Sequence, residues 1–190
     1  MTPSGTRSLV RVALFAAIIA VLGLIPRVDL PVAGGVPITA QTLGVMLAGV
    51  ILGPRLGLAA VLLFIGVVLL GMPFLAGGRG GLGVLQGPTV GFLLGWIPGV
   101  AVTGLVFAAL RRLPVAAAAI AASVVGGILV VYACGIVGLS LVTGIPLARA
   151  MWASIVFVPG DVIKCVLVGL VAASLPRSTL GLAEARAQAR

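Results

Sequence analysis

Apolar residues run through this chain in long blocks, and the few polar or turn-forming residues fall between the blocks rather than alternating within them. A helix needs about 20 apolar residues to cross a hydrocarbon core of about 30 Å, and shorter spans are tolerated. On that measure the pattern predicts six transmembrane helices, at about 9–25, 38–53, 56–70, 88–110, 115–141 and 147–175, with a polar cytoplasmic tail at 176–190. The expected fold is an all-α integral membrane protein, one six-helix domain over 1–190. The punctuation supports these limits. Pro26 to Pro37 holds Asp29, Pro31 and Gly34-Gly35, Gly53-Pro54-Arg55 makes a tight turn, and Arg111-Arg112 closes the fourth block. Pro98-Gly99 is a possible kink within that block.

Residues 71 to 87 break the pattern. The stretch is rich in glycine but has almost no charge or serine, so it is a poor solvated linker and is expected to fold back into protein. Glycines let a backbone approach a ligand closely, and Arg79 is the only charge there, placed to meet an anion. A phosphate-gripping loop would need Gly-Lys-Ser/Thr, which is missing. The first helix carries Ala13-x-x-x-Ala17 and Ala16-x-x-x-Ala20, a spacing that makes a flat face for another helix.

Composition agrees with the blocks: of 190 residues 62% are apolar and 8% charged, with 28 glycines. The net charge of +9 raises the question of nucleic acid, but the basic residues are scattered singly or in pairs and form no patch with exposed aromatics. Topology explains them better. With the N-terminus cytoplasmic, Arg7, Arg11, Arg55, Arg111, Arg112, Arg177, Arg186 and Arg190 lie inside, and only Arg27, Arg79 and Arg149 outside. The expectation is N-in and C-in. Arg7 and Arg11 precede an apolar run as in a signal peptide, yet Ile25-Pro26-Arg27 offers no small-residue cleavage site, so a retained first helix is expected. Two cysteines within apolar segments and no histidine give no support to a disulfide framework or a metal site, and no cofactor is expected.

The chemistry concentrates in Pro159-Gly160-Asp161-Val162-Ile163-Lys164. An ionisable residue within the membrane costs about 2.5 to 3.5 kcal/mol on insertion scales, so it normally faces a bundle interior or a wet cavity. Pro159-Gly160 is expected to break the helix and leave Asp161 at the N-cap of a half-helix. Asp161 and Lys164 share a helix face, so they either neutralise each other or present an acceptor and a cation to a ligand. Asp161 stands fourteen residues before Leu175, roughly 21 Å along a helix, which puts it in the outer half of the membrane. Thr39, Gln41, the glycine loop and Tyr132 converge at that depth. Thr39 and Gln41 either bond a neighbouring helix or serve a ligand, and Tyr132 either lines a cavity or sits in an interfacial belt.

Four motifs in order, Ile38-Thr39-Ala40-Gln41-Thr42-Leu43, Leu52-Gly53-Pro54-Arg55-Leu56-Gly57, Ala76-Gly77-Gly78-Arg79-Gly80-Gly81-Leu82-Gly83 with Gly87-Pro88-Thr89, and Pro159 to Lys164, resemble the biotin-specific BioY family. That family supplies the membrane-embedded substrate-binding (S) components of energy-coupling-factor (ECF) vitamin transporters. The resemblance covers nearly the whole chain and implies a biotin pocket on the outer side, closed by the loops between helices 1 and 2 and helices 3 and 4. It implies biotin-binding roles for Asp161, Lys164, Arg79, Gln41, Thr39, Gly83, Gln86 and Tyr132. It also implies a transmembrane coupling protein and two ABC-type ATPases as partners, docked through Ala13, Ala17 and Ala20. Val90 departs from the pattern, because the resemblance leads one to expect Thr-Gly-Gly after Pro88.

Other classes fit less well. An enzyme would have only three acids and no histidine for acid–base or metal chemistry. A channel would need polar stripes along several helices, whereas the polar groups here gather at one depth. A purely structural membrane subunit, or the same kind of component serving another small anionic vitamin, are the alternatives. No Walker motif is present to power uptake.

Overall fold

The computed structural model describes residues 3–26, 36 and 39–181. The readings that involve Arg27, Asp29, Pro31, Gly34-Gly35, Ile38, Arg186 and Arg190 lie outside the described residues. Among those described the regular elements are all helices, with no strand and one isolated bridge.

Helix α1 (Pro3–Leu22) packs Val12, Phe15, Ala16 and Ile19 inward at helical spacing. Its other side exposes Leu9, Val10, Leu14 and Val21, as a lipid-facing surface does. Ala13 and Ala17 lie on that exposed side, and Ala20 is half-buried.

Helix α2 (Gln41–Leu69) holds the two short helices expected at 38–53 and 56–70. The join is Gly53, whose φ of 81° and ψ of 178° are open to glycine and costly for other residues. The chain reverses there. A Cβ placed on Gly57 would stand 3.0 Å from the Ala48 carbonyl, whereas nine residues of straight helix would separate the two by roughly 13 Å. Gly104 of the next helix abuts Pro54, and Gly181 donates to Val50 O at 3.1 Å, so α3 and the chain after α7 both meet this turn.

The glycine-rich loop folds back, as expected. Leu75 and Arg79 exchange backbone hydrogen bonds of 3.0 and 3.2 Å around Gly77 and Gly78, both at positive φ. Gly81 N–H then donates to Val68 O at 2.8 Å, which pins the loop to the end of α2 before a short 3-10 helix, Leu82–Gln86.

Helices α3 (Val90–Ala109), α4 (Val115–Ser123) and α5 (Val131–Thr143) make the central wall. Between α4 and α5 the chain widens into a π-helical stretch, Val124–Val130, so that Val115–Thr143 is one continuous apolar run. Glycines set the closeness of α3 to this run. A Cβ on Gly91 would fall 2.7 Å from Gly138 Cα, and one on Gly126 would strike Thr103 and the Gly99 carbonyl.

Helices α6 (Leu147–Ile155) and α7 (Val158–Ser174) meet at 55°. The break expected at Pro159-Gly160 falls a few residues earlier, at Val156-Phe157. Pro159 sits in the first turn of α7, where its missing N–H leaves no helical bond unmade. Asp161 is therefore not the N-cap, and its N–H donates to Phe157 O at 3.0 Å. On α6, Trp152 is 69% exposed.

Candidate functional site

One pocket gathers most of the polar residues singled out by sequence. It lies between the start of α2, the glycine loop, α3, α5 and the first turns of α7. About 80 Å³ is open to the centre of a water-sized sphere, where a single water takes about 10 to 15 Å³. The pocket thus has room for a small ligand's ring or chain rather than for an ion alone.

Its apolar walls come from helices whose inner faces are fixed by packing. Phe92 stands edge-on to Tyr132 and to Phe157, with ring centroids at 6.1 and 6.2 Å. Leu93, Trp96 and Val131 complete that side. Trp96 is 6% exposed, packs against Phe64 at 6.0 Å, and its indole N–H has no partner among the described residues.

At one side of the pocket α7 presents Asp161 and Lys164 on the same face, three residues apart, and they form an ion pair of 2.7 Å. Asp161 is 5% exposed. Its other carboxylate oxygen accepts from Tyr132 Oη at 2.5 Å, and Thr42 Oγ1 donates to Oδ1 at 3.2 Å. Lys164 Nζ donates also to the Thr39 carbonyl at 2.6 Å and to Thr42 Oγ1 at 2.9 Å. Helices α2, α5 and α7 are thus tied together by one charge pair that no isolated helix could carry cheaply.

The glycine loop lies over another part of the pocket. Arg79 bonds the Ala76 carbonyl through Nε at 3.2 Å and Thr89 Oγ1 through Nη1 at 3.3 Å. Gln41 is buried beside it and acts as a strut. Its Nε2 donates to Ile19 O at 3.2 Å and Phe74 O at 3.0 Å, while its Oε1 accepts from Ala76 N–H at 3.0 Å. One amide therefore joins α1, α2 and the loop.

Asp161, Lys164, Arg79, Gln41, Thr39 and Tyr132 all line this pocket. Gly83 and Gln86 do not: the 3-10 helix turns Val84 inward and leaves both of them exposed. Sequence reasoning passed over Thr42, Phe92 and Trp96. Thr42 had a signal, since it follows Thr39 by three residues and so recurs near the same side of the chain as a helix begins.

The BioY family model matches residues 1–180. The chain belongs to the BioY family. A biotin transporter BioY of Rhodobacter capsulatus is 48% identical over 178 residues, covering 89% of this chain and 93% of that protein. One of Rhizobium etli is 49% identical over 170 residues, covering 87% and 90%. Among solved structures, the crystal structure of the S-component for biotin from an ECF-type ABC transporter superposes with a TM-score of 0.84 at 29% identity, covering 91% of this chain and 92% of that one. The chain thus shares sequence with BioY relatives and its helical arrangement with a solved S-component for biotin.

Proposed function

We propose that this chain binds biotin from outside the cell and serves its uptake across the cytoplasmic membrane, as the substrate-specific component of an ECF-type ABC transporter. The observation that carries the reading is the Asp161–Lys164 pair, buried with Tyr132 and Thr42 in an otherwise aromatic and aliphatic pocket of a BioY-family chain. Biotin matches that chemistry. Its ureido group offers N–H donors and an oxygen acceptor, its valerate ends in a carboxylate, and its ring and chain are apolar.

In this reading Asp161, Lys164, Thr39, Tyr132 and Arg79 touch the ligand, and Gln41 shapes the loop above it. Gly83 and Gln86 act only through the loop that carries them. The two arms of α2 on either side of Gly53 count as separate spans, as does the bent pair α6–α7, which makes six helices with both termini cytoplasmic. The exposed Ala13 and Ala17, with Ala20 beside them, form the docking face for a transmembrane coupling protein that carries two ABC-type ATPases. No catalytic step is assigned to the chain.

Biotin retained by the purified full chain tests this. After release in mild denaturant, about one biotin per protein is expected. Protein that holds none and takes up none from labelled biotin in solution would overturn the assignment.

A further inference from the structure

The donors around Asp161 are spent within the cluster. An ammonium group has three protons, and those of Lys164 go to the Thr39 carbonyl, Thr42 Oγ1 and Asp161 Oδ1. Thr42 has one hydroxyl proton and spends it on Asp161 Oδ1. Oδ1 therefore receives two donors, while among the described residues Oδ2 receives only Tyr132. A carboxylate oxygen has about two acceptor sites, so one site remains, on Oδ2.

We propose that Thr42 is a positioning residue that sets which edge of Asp161 a ligand meets. It accepts from Lys164 and donates to Asp161 at once, and it is held on the first turn of α2, opposite α7. By filling Oδ1 it turns the ligand's N–H donor to Oδ2, beside Tyr132. By holding one ammonium proton it fixes where the Lys164 ammonium points. Without the hydroxyl, Oδ1 opens, Lys164 has a spare proton, and the carboxylate turns about its terminal bond. This rests on the reading of the pocket as a biotin site.

Two substitutions separate the hydroxyl from the packing. Thr42→Val keeps the shape and removes the hydroxyl; Thr42→Ser keeps the hydroxyl and removes a methyl. In the full-length protein, biotin affinity is expected to fall at least about tenfold in Thr42→Val and to stay within about threefold of the parent in Thr42→Ser, because a charge-assisted hydrogen bond is lost only in the first. The reverse order, with Val near the parent and Ser weak, would mean that Thr42 acts by packing and would overturn the proposal. So would equal affinity in all three proteins, or equal losses in both variants. Should Thr42→Val fail to fold, Thr42→Ala compared with Thr42→Ser decides the question in the same way. If the parent protein itself binds no biotin, the assignment of the ligand fails; if it binds and Thr42→Val binds equally well, only the role of Thr42 fails.

Discussion

Gln41 and Asp161 are both buried polar residues on the wall of one pocket, and they are satisfied in opposite ways. Among the described residues Gln41 bonds only main-chain groups, the carbonyls of Ile19 and Phe74 and the N–H of Ala76. The Asp161 carboxylate, among the same residues, bonds only side chains, those of Tyr132, Thr42 and Lys164. Main-chain groups are fixed by the path of the backbone, so the bonds of Gln41 belong to the fold. Side-chain partners can rotate and exchange, so the Asp161 cluster can trade some of its bonds for a ligand's. Burial alone does not mark a binding residue; what the residue is bonded to does.

The largest effect should come from the exchangeable cluster. Lys164→Ala is expected to weaken biotin binding by roughly 2 to 5 kcal/mol if the pair stays buried around the ligand. Asp161→Asn combined with Lys164→Met leaves no lone charge in the membrane, so that protein should insert and fold near normally yet still fail to hold biotin. Near-parental biotin affinity in the folded double variant would place Asp161 in the same structural class as Gln41 and erase the contrast.

A position on the exposed side of α1, outside the pocket lining, provides the control. Ala17→Trp adds bulk to the exposed side of α1 and is expected to abolish energised uptake while biotin binding to the isolated protein stays unchanged. Loss of binding along with uptake would point to a defect in folding rather than in docking.

Gln41→Leu should act on stability first. Its three main-chain partners lose their bonds, at a cost of about 1 to 3 kcal/mol for each group left unsatisfied. The expected signature is a lower melting temperature without ligand, which the Asp161–Lys164 double variant should not share. A full loss of binding with unchanged melting would move Gln41 to the ligand side. The smallest effect is expected at Gln86, whose exposed side chain lies outside the pocket: Gln86→Ala should leave affinity within about threefold of the parent.

Much of the fold was legible because proline, glycine and arginine end apolar blocks for plain physical reasons. Gly53-Pro54 marked the reversal in α2, and Arg111-Arg112 the end of α3. Pro159-Gly160 announced a break in the last segment but not its place, since a proline fits the first turn of the helix it opens and the bend therefore falls before it, at Val156-Phe157. The π-helical stretch through Gly126-Gly127 was not legible, since a glycine pair inside an apolar run reads equally as ordinary close packing. In the site, Asp161 and Lys164 announced themselves by their cost in lipid. Phe92 and Trp96 could not, because an inward aromatic and a lipid-facing aliphatic are both apolar, and periodicity separates faces only where one of them is polar. The placing of Gly83 and Gln86 outside the pocket was not legible for a related reason: their loop gave no period to show which way each residue faced.

The separation of the two tryptophans gives the molecule its own optical reporters. Trp96 is shut in the pocket wall with an indole N–H that has no partner among the described residues, while Trp152 projects from α6. Brominated lipid or a membrane-soluble quencher should therefore dim Trp152 and spare Trp96, and in a Trp152→Phe protein the remaining emission should change in colour when the pocket fills. Ligand occupancy could then be followed in intact bilayers without attaching a dye to the protein.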